Sequence, residues 1–244
     1  MSNPILNDER FSAQERILDG EPMTIQGTVN KILMLFVCLL AGAGISVYFL
    51  FSGQGSIVPP MITGSAIIAF ILVLITCFNI RRAKYLAPPY ALLEGVVLGG
   101  VSALFEHAIQ GIVLQAVALT FTTLVVMLLL YKAKIIKYTE KLNAILFTAI
   151  LSVGAVYLVQ IIVSFFGRSI PGIFDNGPVG IVFSLVVVGI AALSLIQDFY
   201  FIETASQRML PKDYEWYGAM GLMITLVWLY MEILRLLAKL NSRR

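Results

Sequence analysis

Seven apolar runs, each close to one membrane thickness, dominate this 244-residue chain and leave it very few possible folds. They lie at about 32–51, 61–80, 86–105, 111–131, 144–166, 179–201 and 216–238. A bilayer span takes about 20 apolar residues. Inside lipid the backbone N–H and C=O groups find no water, so a spanning segment must bond them internally as a helix or within a closed barrel. The runs show no period-two alternation, which leaves helices. Composition agrees: 59% of residues are hydrophobic and 13% charged, whereas a soluble domain carries about 25% charged residues. Such a chain cannot cover its surface with polar groups. That excludes an ordinary cytosolic enzyme, a disordered regulator and a nucleic-acid-binding domain. The sequence predicts an all-α integral membrane protein with seven transmembrane helices, and the lipid bilayer as its solvent. A polar N-terminal tail, 1–31, precedes a seven-helix domain, 32–240. The tail carries five acids with Pro4 and Pro22. It reads as mostly extended, with room for one short amphipathic piece and no cleavable signal peptide. Gly53 and Gly55, Pro59–Pro60, Pro88–Pro89 and the stretch from Pro171 to Pro178 punctuate the runs.

Lys and Arg set the orientation, because cytoplasmic loops are enriched in them. Arg10, Arg16 and Lys31 lie before the first run. Arg81, Arg82 and Lys84 follow the second, Lys132, Lys134, Lys137 and Lys141 the fourth, and Arg208 with Lys212 the sixth. With the N-terminus inside, all of these are cytoplasmic and only Arg168 among the loop residues is not. The C-terminal Arg235, Lys239, Arg243 and Arg244 break the pattern. Either the seventh run crosses against the rule, or a late segment is re-entrant; the length of 216–238 favours a crossing.

An ionisable side chain at membrane depth costs several kcal/mol unless paired or wetted, so each is a functional hypothesis. Glu94 lies about eight residues into the third run, with Gly95 and Gly99 spaced for close helix packing. It either pairs with Arg81, Arg82 or a backbone amide, or serves a water or ion path. Asp198 follows roughly 20 apolar or small residues of the sixth run. Arg81 and Arg82 stand on the same side of the membrane, which makes a carboxylate–arginine latch available. In the seventh run Thr225 and Glu232 are seven apart, on nearly the same helix face. Glu232 and Arg235 sit at i, i+3 and can pair with each other. Glu106, His107 and Glu203 fall at run ends, where water reaches them.

Catalysis finds little support. No run holds a mid-membrane lysine for a Schiff base, and Asp198 is the only aspartate within a run. One histidine and two separated cysteines, Cys38 and Cys77, do not make a zinc site. No phosphate-binding GxxxxGK[ST] occurs. The expectation is a non-enzyme without cofactor that conducts, senses or binds another protein.

Several pieces of the chain look familiar together. They are Ser2–Asn7 with Met23–Lys31, Tyr90–Gly99 around Glu94, Asp198 followed by Ile202, and Leu229–Leu237 with Arg235. The combination resembles the Bax-inhibitor (YccA-like, transmembrane Bax inhibitor motif) membrane proteins, most closely their bacterial members. The resemblance covers residues 23–240 as spacing. It implies six helices around a central seventh, in a bacterial inner membrane, with a cytoplasmic N-terminus. Some relatives are pH-sensitive calcium leak pathways. In these, aspartates on the sixth and seventh helices face each other and an arginine ending the second helix latches the first aspartate. The first aspartate carries over to Asp198 and the arginine to Arg81, with Arg82 the alternative by register. The second does not carry over: Thr225 stands there, and Glu232 is the nearest acid on that face. Other relatives modulate membrane proteases or stress-induced death, which requires no permeation. The leading expectation is therefore a cation leak, of calcium, gated by protonation near Asp198. Its rival is a non-conducting interaction protein whose tail docks a partner such as a membrane protease. A small-solute or lipid transporter ranks third, since no internal repeat is visible.

Overall fold

Uninterrupted apolar sequence with turn residues only at the breaks gives one long helix per run. The computed structural model describes residues 21–168 and 170–242. Among the described residues it contains α1 (Ile25–Phe51), α2 (Val58–Phe78), α3 (Ala83–Ala108), α4 (Ile112–Lys132), α5 (Glu140–Ser164), α6 (Pro178–Gln207) and α7 (Asp213–Asn241). All seven helices are long and apolar enough to cross a membrane. Short 3₁₀ turns, Gly55–Ile57 and Ile80–Arg82, precede α2 and α3.

α7 is the central helix. It packs against α1, α3, α4 and α6, and Met223, Leu229 and Leu234 on it are fully buried. The closest helix pair is α1 with α3, where glycines bring backbone against backbone. A Cβ on Gly95 would lie 2.0 Å from the Leu39 carbonyl oxygen, and one on Gly42 2.0 Å from that of Leu92. Ser46 Oγ adds a 2.6 Å bond to the Val96 carbonyl across this contact. Gly95 and Gly99 are thus packing residues, as their spacing indicates.

The helices extend past the apolar runs. α1 starts at Ile25, not at 32, so the last seven residues assigned to the tail are helical. Thr24 caps this helix, its side chain accepting from the Gly27 N–H. The earlier part of the tail, including Arg10 and Arg16, lies outside the described residues. Pro59 and Pro60 begin α2, but Pro88 and Pro89 lie inside α3 and break nothing. They leave two early carbonyls of that helix without an amide donor, near its wetted end, where water can serve them. Pro178 opens α6, and Gly172 at φ +85° turns the chain before it.

The path of α7 is settled by contacts at both ends. Thr24, before α1, donates to Glu215 in the first turn of α7. Lys239, in its last turn, donates to the Ile173 carbonyl of the α5–α6 connection and to the Gly180 carbonyl in the first turn of α6. α1 and α7 therefore run parallel and the chain crosses seven times. Arg235 and Lys239 lie at the end opposite Lys31, Arg81 and Lys212. Arg243 and Arg244 lie outside the described residues.

Candidate functional site

Asp198 projects from α6 into a cleft of about 460 Å³. The cleft opens at the lysine-rich end of the molecule, between α2, α6 and α7, and its floor is cut into α7 at Gly218 and Gly221, which lack side chains. Thr76, Cys77, Gln197, Arg208 and Tyr217 line it. The residue as a whole is half-buried, but its Oδ2 is buried and has no hydrogen-bond partner among the described residues. Thr225 stands beside the carboxylate, its own hydroxyl donating to the Gly221 carbonyl at 3.3 Å. A Cβ on Gly221 would come 3.9 Å from Asp198 Oδ1.

The expected latch between Asp198 and Arg81 is not formed. Among the described residues no ion pair joins Asp198 to Arg81 or Arg82. Both arginines sit exposed in the 3₁₀ turn after α2, held there by the Arg82 N–H to Asn79 carbonyl bond. The arginine that lines the cleft is Arg208, just past the end of α6. Ten residues of helix separate it from Asp198, about 15 Å at 1.5 Å per residue, so it marks the mouth and Asp198 the depth. In the sequence Arg208 is legible only as a loop charge.

Glu94, on α3, is a second acid at membrane depth. Lys84 on α3 pairs with Asp213 on α7 at 3.5 Å, and Ser102 lies 2.6 Å from the Tyr230 hydroxyl. These contacts fix α3 and α7 in parallel register, which puts Glu94 level with Leu222 and Met223, about 80° round α3 from the line through Lys84 and Ser102. Asp198 is level with Gly221 and Thr225. Two carboxylates therefore share one depth, on opposite sides of α7. Glu94 is half-buried and makes no ion pair among the described residues, neither with Arg81 nor with Arg82.

Glu232 belongs elsewhere. It is 1% exposed and accepts bonds from Tyr157 Oη at 2.8 and 2.9 Å, Trp228 Nε1 at 3.2 Å and Arg235 Nη1 at 2.9 Å. Arg235 also lies over the Tyr157 ring at 5.1 Å. Seven residues carry Glu232 about 10 Å along the helix axis from Thr225, beyond reach of Asp198. Its partners tie α5 to α7. The local pair with Arg235 was visible in the spacing; Tyr157 was not. At the run ends, Glu106 accepts from the Gly111 and Val113 N–H groups that begin α4, Glu203 accepts from the Tyr131 hydroxyl, and His107 is exposed.

A second polar centre escaped the sequence reading. Glu215, 1% exposed, accepts from the Thr24 N–H and hydroxyl at 3.0 Å each and from Lys31 Nζ at 2.5 Å. Gly27 makes room for it: a Cβ there would meet Glu215 Oε1 at 2.1 Å. The only available signal was an acid at the foot of the last run, with its partners 184 and 191 residues away.

Among the described residues no three His, Cys, Asp or Glu side chains converge as a metal site. A family model described as Bax inhibitor 1 like matches residues 3–242 of the chain. No curated protein matches it.

Proposed function

Because this chain belongs to the Bax inhibitor 1 like family and its seven long apolar helices make it an integral membrane protein, we propose that it is a cation leak pathway, with calcium as the ion and protonation near Asp198 as the control. The observation that carries this reading is the buried, unpartnered Asp198 Oδ2 at the foot of a cleft. A carboxylate at that depth needs a counter-charge, a cation or a proton, and among the described residues no arginine pairs with it. The charged or titratable groups facing it are Cys77 from α2, Tyr138 from the α4–α5 connection, Tyr200 and Arg208 from the end of α6, and Tyr217 from α7. Glu94, at the same depth across α7, lies outside the cleft lining and is the second membrane-depth carboxylate open to an ion or a proton. Arg81 and Arg82 act at the rim, drawing anionic lipid and setting orientation. Thr225 positions the carboxylate, and Glu232 holds α5. Calcium takes six to eight oxygen ligands when bound firmly. A carboxylate with a few neutral neighbours holds it only in passing, which suits a leak better than storage.

The positive-inside bias supports a cytoplasmic location for the end carrying Lys31, Arg81, Lys132 and Lys212. The reading places the chain in a bacterial cell membrane, with no enzymatic step. Calcium flux into liposomes of purified protein, at about pH 6 and about pH 8, tests it directly. Wild type is expected to show flux that differs between the two by at least about threefold, and Asp198→Asn to lose that difference. Flux with an unchanged pH dependence in Asp198→Asn overturns the assignment of Asp198. No flux above empty liposomes overturns conduction, and favours a non-conducting role on a membrane protease or other membrane protein.

A further inference from the structure

The cleft has a back wall, and the segment that supports it comes from the other end of the sequence. Phe201, Ala205 and Leu210 line the cleft. The same three side chains surround Met23, which is 2% exposed. Residues 21–24 lie across the α6–α7 connection as a short strap. Pro22 and Pro211 face each other as an isolated antiparallel bridge. The Met23 N–H donates to the Leu210 carbonyl at 2.7 Å, and Ser206 Oγ donates to the Met23 carbonyl at 3.4 Å. Glu21 pairs with Lys212 at the surface. The strap ends where Thr24 and Lys31 hold Glu215. Apart from the cap Thr24 gives α1, these contacts fall on the end of α6, the start of α7 or the connection between them, and these two helices carry Asp198 and the glycines of the cleft floor.

We propose that residues 21–24 are a releasable strap whose seating holds the Asp198 cleft narrow and whose release widens it. Four residues anchored by one apolar side chain, a few hydrogen bonds and an exposed ion pair form a unit that opens locally without unfolding the bundle. When Met23 leaves, Phe201, Ala205 and Leu210 lose their backing, and the wall they form can move away from α2. The strap thereby couples the N-terminal segment to the depth at which Asp198 sits. The consequence for ion flux rests on the leak reading above; the widening does not.

The test has two arms in the full-length protein, with Cys38 and Cys77 replaced by serine throughout. In the first, Gly221→Cys places a thiol on the cleft floor, where a Cβ meets only Asp198 Oδ1 at ordinary contact distance. The rate at which a water-soluble maleimide modifies it is compared with and without Met23→Ala, thermal melting confirming that both proteins are folded. Release of the strap is expected to raise that rate by at least about threefold. In the second arm, Pro22→Cys with Pro211→Cys locks the strap by a disulfide. Directly opposed antiparallel residues have Cα atoms about 4.5–5.5 Å apart, within disulfide range. The oxidised protein is expected to pass calcium at least about threefold more slowly than the same protein after reduction. Equal labelling rates with Met23 and with alanine overturn the strap, whatever the flux. Equal flux from oxidised and reduced protein overturns its control of permeation. Strap-dependent labelling from a protein that passes no calcium leaves the strap standing and removes the leak reading instead.

Discussion

Glu232 shows how little a buried acid reveals of its role until its partners are known. Three donors from two helices satisfy it, so removing the carboxylate leaves Tyr157 and Arg235 without their acceptor. Glu232→Ala is expected to cost about 3 kcal/mol, whereas Lys84→Ala, whose side chain is 40% exposed beside a partner, Asp213, that is 29% exposed, costs about 1 kcal/mol or less. Thermal melting in detergent checks the asymmetry; equal losses would contradict it. At the surface, the hydrogen bond and charge of Lys212 hold the Glu21 carboxyl below its ordinary range, and Glu21 holds the Lys212 ammonium above its own. The lowered acid contributes above its unfolded value and loses that contribution as pH falls; the raised base contributes below its unfolded value and loses it as pH rises. Between about pH 5 and about pH 10 the pair is therefore constant. Glu21→Gln should leave the pH profile of flux between about pH 6 and about pH 8 unmoved, and a shifted profile would assign the pH response to the strap rather than to the cleft. At this scale the sequence revealed what is local, such as the Glu232–Arg235 pair. It hid what is distant: nothing near Glu215 announces Lys31, and nothing near Asp198 distinguishes Arg208 at the cleft mouth from Arg81 on a turn.

Helices behave according to how closely they approach one another. α1 and α3 meet backbone to backbone at Gly42, Gly95 and Gly99, and a carbonyl oxygen cannot swing aside as a side chain can. Gly95→Ala is expected to destabilise by about 2 kcal/mol or more, while Gly44→Ala, with nothing within 4 Å of a new Cβ, changes stability by about 0.5 kcal/mol or less. Comparable melting of the two variants would contradict the close contact. The existence and number of the helices were legible because lipid forbids any other use of a 20-residue apolar run. Their ends were not. Hydropathy stops at the first polar residues, whereas the hydrogen-bond ladder continues through Ile25–Lys31 and to Gln207. The Pro88–Pro89 pair misled for a related reason: near a wetted end, the amide donors that proline lacks can be replaced by water.

For the whole molecule, the central question is what the space around α7 is for. Seven crossings place Lys239 at the end opposite Lys31, against the charge bias of the loops. Epitope tags on the two termini should therefore be accessible from opposite faces of sealed vesicles; accessibility from the same face would restore the re-entrant alternative. The charge rule left this open because it counts basic residues without seeing that Lys239 is occupied by the Ile173 and Gly180 carbonyls. The family was legible in the sequence, and the central position of the last helix followed from that resemblance. The shared depth of Glu94 and Asp198 required the register between α3 and α7, which no single helix encodes. The most direct measurement is calcium flux into liposomes at about pH 6 and about pH 8, wild type beside Asp198→Asn. The account predicts pH-dependent flux in the wild type that the substitution flattens. Flux that responds to pH identically in both proteins would contradict it.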